Sequence, residues 1–318
     1  MRRILILTAL AVTLLAPTVA KANHLADFYV IPVASHTPGL GNTLWMSDIA
    51  IRNVDAANNL NVQFVFIESG EIANGSSVNN SDNVFPLASD TIPGGSVVVP
   101  SNGSILLKDI LKNYRGLPAA IGAVLVGGDR PFAVTSRSYV TREDGGTVGQ
   151  TVPPVRDFLE NTVGGQTNNA TISYLPGLIN NLNYRTNLGF VAGNSGSSGG
   201  NLVVVVTLRD ASGMVIGSPR PFFLPPGTFT HLQFPTSLIS SKAFDLASAE
   251  IQIKQGNGVV VPYASVVDNK SADAVFITAM FPNNTPTAGK WGEAPSLLRI
   301  LFDGVKTSAS DSRRRSSH

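Results

Sequence analysis

Short runs of Val, Ile, Leu, Phe, Tyr and Thr recur along the chain, separated by clusters of Gly, Pro, Asn, Asp and Ser. Alternation of apolar and polar positions with period two places one side of each run in a core, so the pattern predicts many short antiparallel strands. In the first half these are 28–34, 45–53, 60–67, 96–99, 121–126, 132–140 and 147–152. In the second they are 172–175, 184–191, 202–208, 214–216, 228–234, 247–254, 259–267 and 274–280. Seven to nine short strands in little over a hundred residues are the pattern of an immunoglobulin-like sandwich. The expected fold is therefore all-β, as two tandem Ig-like antiparallel β-sandwiches.

The halves also line up with each other. Tyr29-Val30-Ile31-Pro32 answers Ser173-Tyr174-Leu175-Pro176, and Trp45, Ser47, Ile49 and Ile51 answer Tyr184, Thr186, Leu188 and Phe190 on one side of their strands. Leu60, Val62, Phe64 and Phe66 correspond to Leu202, Val204, Val206 and Leu208, and the turn at Ile92-Pro93-Gly94-Gly95 to the one at Leu224-Pro225-Pro226-Gly227. Trp45 and Tyr184 are accordingly expected in the two cores. Val65 and Ile67 lie opposite Phe64, and Val203 and Val205 opposite Val204, so these strands are apolar on both faces and call for two coverings. The expectation is that the sandwiches pack against each other.

Segment 1–22 has a basic start, an apolar run from Ile4 to Ala16 and Ala20-Lys21-Ala22 as a small-x-small site, the arrangement of a secretory signal peptide cleaved after Ala22. The first sandwich is then expected over 23–154, a linker over 155–170, the second sandwich over 171–282, and a C-terminal extension over 283–318 with a disordered end. Residues 68–91, rich in Asn and Ser, are expected to form a mobile surface loop, and 155–160 one or two helical turns.

Composition narrows the function. The 318 residues contain no cysteine and four histidines, which excludes disulfide scaffolds, thiolate metal sites and thiol nucleophiles; no cofactor or metal site is expected. Losing Arg2, Arg3 and Lys21 leaves 20 of the 23 basic residues against 21 acidic ones. Setting aside Lys306, Arg313, Arg314, Arg315 and Asp311 leaves 16 against 20, a net −4. A mildly acidic folded part argues against nucleic acid as a partner. After cleavage no apolar stretch reaches the ~20 residues of a bilayer-spanning helix, so an integral membrane protein is not expected.

The residues Trp45-Met46-Ser47-Asp48, Tyr184-Arg185-Thr186-Asn187 and Tyr263-Ala264-Ser265-Val266-Val267-Asp268-Asn269 resemble those of secreted, largely uncharacterised bacterial proteins built from tandem Ig-like modules. The resemblance spans most of the mature chain, although Arg137-Ser138-Tyr139-Val140 departs from the last motif. It implies export and a noncatalytic role, and supplies no site residues.

Candidate chemistry is sparse. Gly196-Ser197-Ser198-Gly199-Gly200 matches a hydrolase elbow, but it sits in linker-like composition ahead of a strand where the elbow needs a helix. A serine hydrolase also needs a histidine held by a carboxylate; His36 could pair with Asp48, while His231, on a strand, is expected to be solvent-facing or hydrogen-bonded. Asp48, Asp144, Asp268 and Asp273 fall at strand ends or turns without the spacing of a calcium loop. Trp291, outside both sandwiches, is the candidate ligand-binding aromatic. The expected protein is exported and not an enzyme, with a structural or adhesive role at the cell envelope or outside the cell. Its expected partner is an envelope or extracellular protein or glycan. The alternatives are a glycan- or ligand-binding module and, last, a serine hydrolase.

Overall fold

The computed structural model of the chain describes residues 25–39, 43–73, 76–79, 84–86, 96–117, 119–156, 163–164, 172–194, 200–256 and 258–280. Segment 1–22, expected to be a signal peptide, Ser198, most of the expected linker, Trp291 and the C-terminal extension lie outside the described residues. The described residues are all-β, with three sheets and very little helix. Its N-terminal half contributes β1 (Ala26–Pro38), β2 (Leu44–Arg52), β3 (Leu60–Glu68), β4 (Glu71–Ala73), β5 (Ser77–Asn79), β6 (Val84–Pro86), β7 (Ser96–Val99), β8 (Ser104–Leu107), helix α1 (Ile110–Arg115), β9 (Ala120–Thr141), β10 (Thr147–Thr151) and β11 (Val155–Arg156). The C-terminal half follows with β12 (Val163–Gly164), β13 (Ile172–Asn180), β14 (Tyr184–Asn194), β15 (Leu202–Asp210), β16 (Val215–Leu224), β17 (Phe229–Pro235), β18 (Phe244–Gln255), β19 (Gly258–Asp268) and β20 (Ala274–Thr278). Val155 and Arg156, expected in helical turns, instead add β11 to the edge of β1.

The first sheet has nine strands, in the order β11-β1-β2-β9-β3-β6, with β7 on β3, β8 on β2 and β10 on β9. Strand β1 also pairs β9, so β1, β2 and β9 close a barrel-like ring. The closure comes from the 22-residue β9, which merges the two strands expected at 121–126 and 132–140. Its early residues pair with β1 and β3, its later ones with β2 and β10. The partners change across Gly127-Gly128-Asp129-Arg130-Pro131, residues that would ordinarily reverse a chain and here bend it. The bend is pinned from outside. Asp129 accepts from the Asn61 backbone and side-chain amides at 3.1 and 2.7 Å, and Arg130 donates to Asp55 at 2.7 Å.

In the C-terminal half a five-stranded sheet, β12-β19-β14-β17 with β20 on β19, faces a six-stranded one, β13-β18-β15-β16-β5-β4. Leu188, Phe190, Leu232 and Phe234 from the first meet Val204, Val206, Phe222 and Ile251 from the second. The last two strands of the six-stranded sheet come from the other half of the chain. Segment 68–91 thus holds, where described, a β4–β5 hairpin whose β5 lies beside β16, with Phe223 N–H donating to Ser76 O at 3.0 Å and Val78 buried in this core, and strand β6, which pairs β3 in the first sheet. For the described part of the segment the expectation of a mobile loop is corrected, because Ile72 and Val78 pack into this core.

The equivalences read from the two halves reappear as pairings. Val126 sits between Tyr29 and Phe64, and Ile251 between Ser173 and Val206. The same register shift falls across each of the shared prolines, Pro32 and Pro176, between Ile31 and Ala34 and between Leu175 and Leu178. The turn equivalence is corrected: Leu60 pairs Val99 and Leu202 pairs Leu224, so it is Pro100 that answers Pro225, while Pro93 lies outside the described residues. A buried asparagine holds each of these turns. Asn53 Nδ2 donates to the carbonyls of Asn58, Val99 and Pro100 at 2.8, 3.2 and 3.1 Å. Asn194 Nδ2 does the same to Gly200, Leu224 and Pro225 at 3.2, 3.2 and 3.1 Å. Asn194→Ala strands those carbonyls, and urea unfolding is expected to show a loss of about 2 kcal/mol. Asn113→Ala, which removes an exposed bond to the Lys108 carbonyl, is expected to change it little.

The two halves share a third core. Phe28, Val30, Val65, Ile67, Ala123 and Leu125 meet Val191 and Val261, with Phe229 and Val259 at the margin. This is the second covering that Val65 and Ile67 require, whereas Val203 and Val205 stay half-buried on the far side. Full burial of such side chains contributes roughly 1.5–3 kcal/mol each, which joins the halves firmly.

Candidate functional site

The outer face of the five-stranded sheet changes character along its strands. Neighbouring rows run Phe229, Gly193, Val259; then His231, Val191, Val261; then Gln233, Gly189, Tyr263; then Asn187, Ser265; and last Arg185, Val267. The apolar rows dock on the N-terminal half. At the polar end the halves diverge over the mouth of the ring and leave a cleft of about 380 Å³.

The ring itself becomes polar towards this mouth. Along β1, β2 and β9 the apolar core positions give way to Ser35, Ser47 and Ser138, where Ser35 N–H donates to Ser47 Oγ at 2.8 Å and Ser47 Oγ lies 2.7 Å from Ser138 Oγ. Trp45 and Thr37, directly paired, form the rim, and Gln150 of β10 reaches across to accept from Ser265 Oγ at 2.9 Å. From the C-terminal half come Arg185, Asn187 and Gln233. Arg185 donates from Nη1 to Asn269 Oδ1 at 2.9 Å and has no carboxylate partner among the described residues; partial burial lowers its pKa. Asn187 makes no side-chain hydrogen bond there, and Gln233 uses only its oxygen.

Beneath the cleft lies a buried aromatic relay. Tyr263 is fully buried among core residues of the N-terminal half, stacks on Phe276 at 5.3 Å, and donates its hydroxyl proton to Gln233 Oε1 at 3.1 Å. With that proton committed, His231 Nε2, 2.7 Å away, must be the donor to Tyr263 Oη, which makes His231 the Nε2–H tautomer with an unpartnered Nδ1. His231 is therefore hydrogen-bonded and not solvent-facing. Burial lowers its pKa to about 3 and pushes that of Tyr263 well up. Because the unfolded chain takes up this proton near pH 6.5 and the folded one does not, stability falls as pH drops below about 6.5. Between pH 6.5 and 5 the loss is about 2 kcal/mol, before the carboxylates titrate. Urea midpoints at pH 7 and 5 should show this slope in the wild type and a flatter one in His231→Gln.

His36 is buried against Asp109, its Nδ1 2.9 and 3.0 Å from the two carboxylate oxygens, so the pairing with Asp48 is corrected. Asp109 precedes α1 with a left-handed backbone (φ 43°), and its N–H donates to Asp48 Oδ1 at 2.9 Å. Asp48 in turn accepts from Arg137 Nη2 at 3.0 Å and Tyr139 Oη at 3.1 Å. Burial and the Asp48 charge raise the Tyr139 pKa. The link to Asp109 spans 73 residues of chain, a separation no local motif signals. Trp45 is only half-buried and lines the cleft, and Tyr184 is 36% exposed, so neither is a core residue: each starts its strand beyond the packed rows. Asp144 and Asp268 accept backbone N–H groups in exposed turns, and Asp273 caps Ala274. No group of three or more His, Asp or Glu suited to a metal occurs among the described residues. No helix among them is long and apolar enough to cross a membrane.

No family model matches the chain, and no curated protein does. Among solved structures, similarity is found to infectious bursal disease virus of the Gt strain, at 11% identity over 92% of this chain and 91% of that one, with a TM-score of 0.18. The Gx strain gives 10% identity over 94% and 93% with a TM-score of 0.19. The T13 particle of the same virus gives 9% over 91% and 88% with a TM-score of 0.17. Scores this low establish no common fold.

Proposed function

We propose that the chain is an exported, noncatalytic protein of two tandem Ig-like β-sandwiches, the first closed into a barrel-like ring, with a structural or adhesive role at the cell envelope or outside the cell. The observation that carries this reading is the shared core of Phe28, Val30, Val65, Ile67 and Leu125 with Val191 and Val261. It makes one stiff body of two units, as suits a protein that transmits force or holds a surface at a set spacing. Export is supported by the features of segment 1–22.

The test is to express the full chain in a bacterial host, fractionate the cells, and sequence the N-terminus. The expected product begins at Asn23, lies outside the cytoplasm, and binds saturably to envelopes of the producing organism. A cytoplasmic product beginning at Met1, or one that ignores the envelope, overturns the proposal. Binding of an extracellular small ligand is the second reading, favoured by the cleft at the mouth of the ring. A hydrolase has less support, because no serine hydroxyl bonds His36 or His231 among the described residues.

A further inference from the structure

The geometry points to the cleft between the halves as a binding site for a carboxylate-bearing sugar, of the uronic acid class, with Arg185 holding the carboxylate and Trp45 the sugar ring. Five observations converge on this ligand chemistry. At about 380 Å³ the cleft has room for one or two sugar units. Its one cation among the described residues, Arg185, is half-buried, and its hydrogen bond goes to the neutral amide of Asn269, which leaves donors of the guanidinium fork for an anion. Among the described residues no Asp or Glu lines the cleft to compete for it.

The remaining polar lining is rich in unused donors. Among the described residues the Nε2 groups of Gln150 and Gln233 have no partner, since each side chain accepts only, from Ser265 and Tyr263 respectively, and the Asn187 amide makes no side-chain hydrogen bond. Neutral amides beside one guanidinium suit a ligand with many hydroxyls and a single negative charge, and would serve a phosphate poorly, which calls for more cationic neighbours. Trp45 adds an aromatic surface on the opposite wall, the usual partner for the C–H face of a sugar ring. Because the two walls belong to different halves, the docked arrangement fixes the spacing between the Arg185 and Trp45 sides, so the site is formed before ligand arrives.

Calorimetric titration of the mature protein with glucuronic acid and galacturonic acid, as monosaccharides and as disaccharides, tests this. The expected result is saturable binding with a Kd below about 1 mM, within reach of a few hydrogen bonds and one ring contact. Glucose and galactose should bind at least tenfold more weakly, and acetate should not compete at equal concentration. Arg185→Gln and Asn187→Ala should each weaken binding about tenfold and fivefold, and Asn187, having no partner to lose, should leave the fold intact. In Trp291→Phe, which keeps Trp45 as the only tryptophan, emission should change on titration. Absence of binding by either acid, equal binding of neutral sugars or acetate, unchanged affinity in both variants, or emission that moves only when Trp291 is present would each overturn the assignment.

Discussion

Leu125→Asp is expected to uncouple the two halves of the chain. Leu125 is fully buried on the outer face of β9, within the core shared with Val191 and Val261. An ionised carboxylate there has no partner, and the halves avoid its desolvation only by separating and admitting water, at a loss of about 4 kcal/mol or more. The N-terminal core lies on the other side of β9, where Val126 points, and is left in place. Scanning calorimetry should therefore show one transition in the wild type and two in the variant, the lower about 10 °C below the original. Val98→Asp, on an exposed position of β7, should leave the single transition where it was. A single unshifted transition in Leu125→Asp would mean that the shared core does not couple the halves.

Gly189→Ala is the second large effect. A Cβ at Gly189 would fall on the ring and hydroxyl of Tyr263, its cross-strand partner, which lies flat over the bare backbone of β14. The ring cannot slide away, being stacked on Phe276 and held by His231 and Gln233. Moving it breaks both hydrogen bonds and opens the N-terminal core, so a destabilisation of about 3 kcal/mol is expected by urea unfolding, with a loss of near-UV aromatic signal. Gly200→Ala, in open space, serves as the neutral comparison.

The all-β character was legible because strand periodicity is local, and so were the paired halves: Tyr29 with Ser173 and Leu60 with Leu202 hold their places in the sheets. The apolar residues on both sides of β3 announced a second covering, since a side chain such as Ile67 must be buried by something. What the sequence hid was long-range. Gly127 to Pro131 carry turn chemistry, and only the partners of β9 on either side show that they bend one strand instead of ending it. The site was hidden in the same way. Arg185 and Asn187 looked like the solvent side of a half-buried strand, and only the docking of a second body over them makes a cleft. One local sign was available. The run from Val259 to Tyr263 is apolar on both faces, and Ser265 then interrupts one of them with a hydroxyl, as happens where one side of a strand leaves an interface.

The β4–β5 hairpin has a further consequence. Because its strand β5 lies parallel beside β16 at Phe223, it covers part of an edge that the C-terminal half leaves open when produced alone. Such a fragment would offer the unpaired N–H and C=O groups of β16 to any extended chain, and self-association would follow. In the intact protein the same strap, if it opened and found the edge of a second copy, would exchange between molecules and link them reciprocally into dimers.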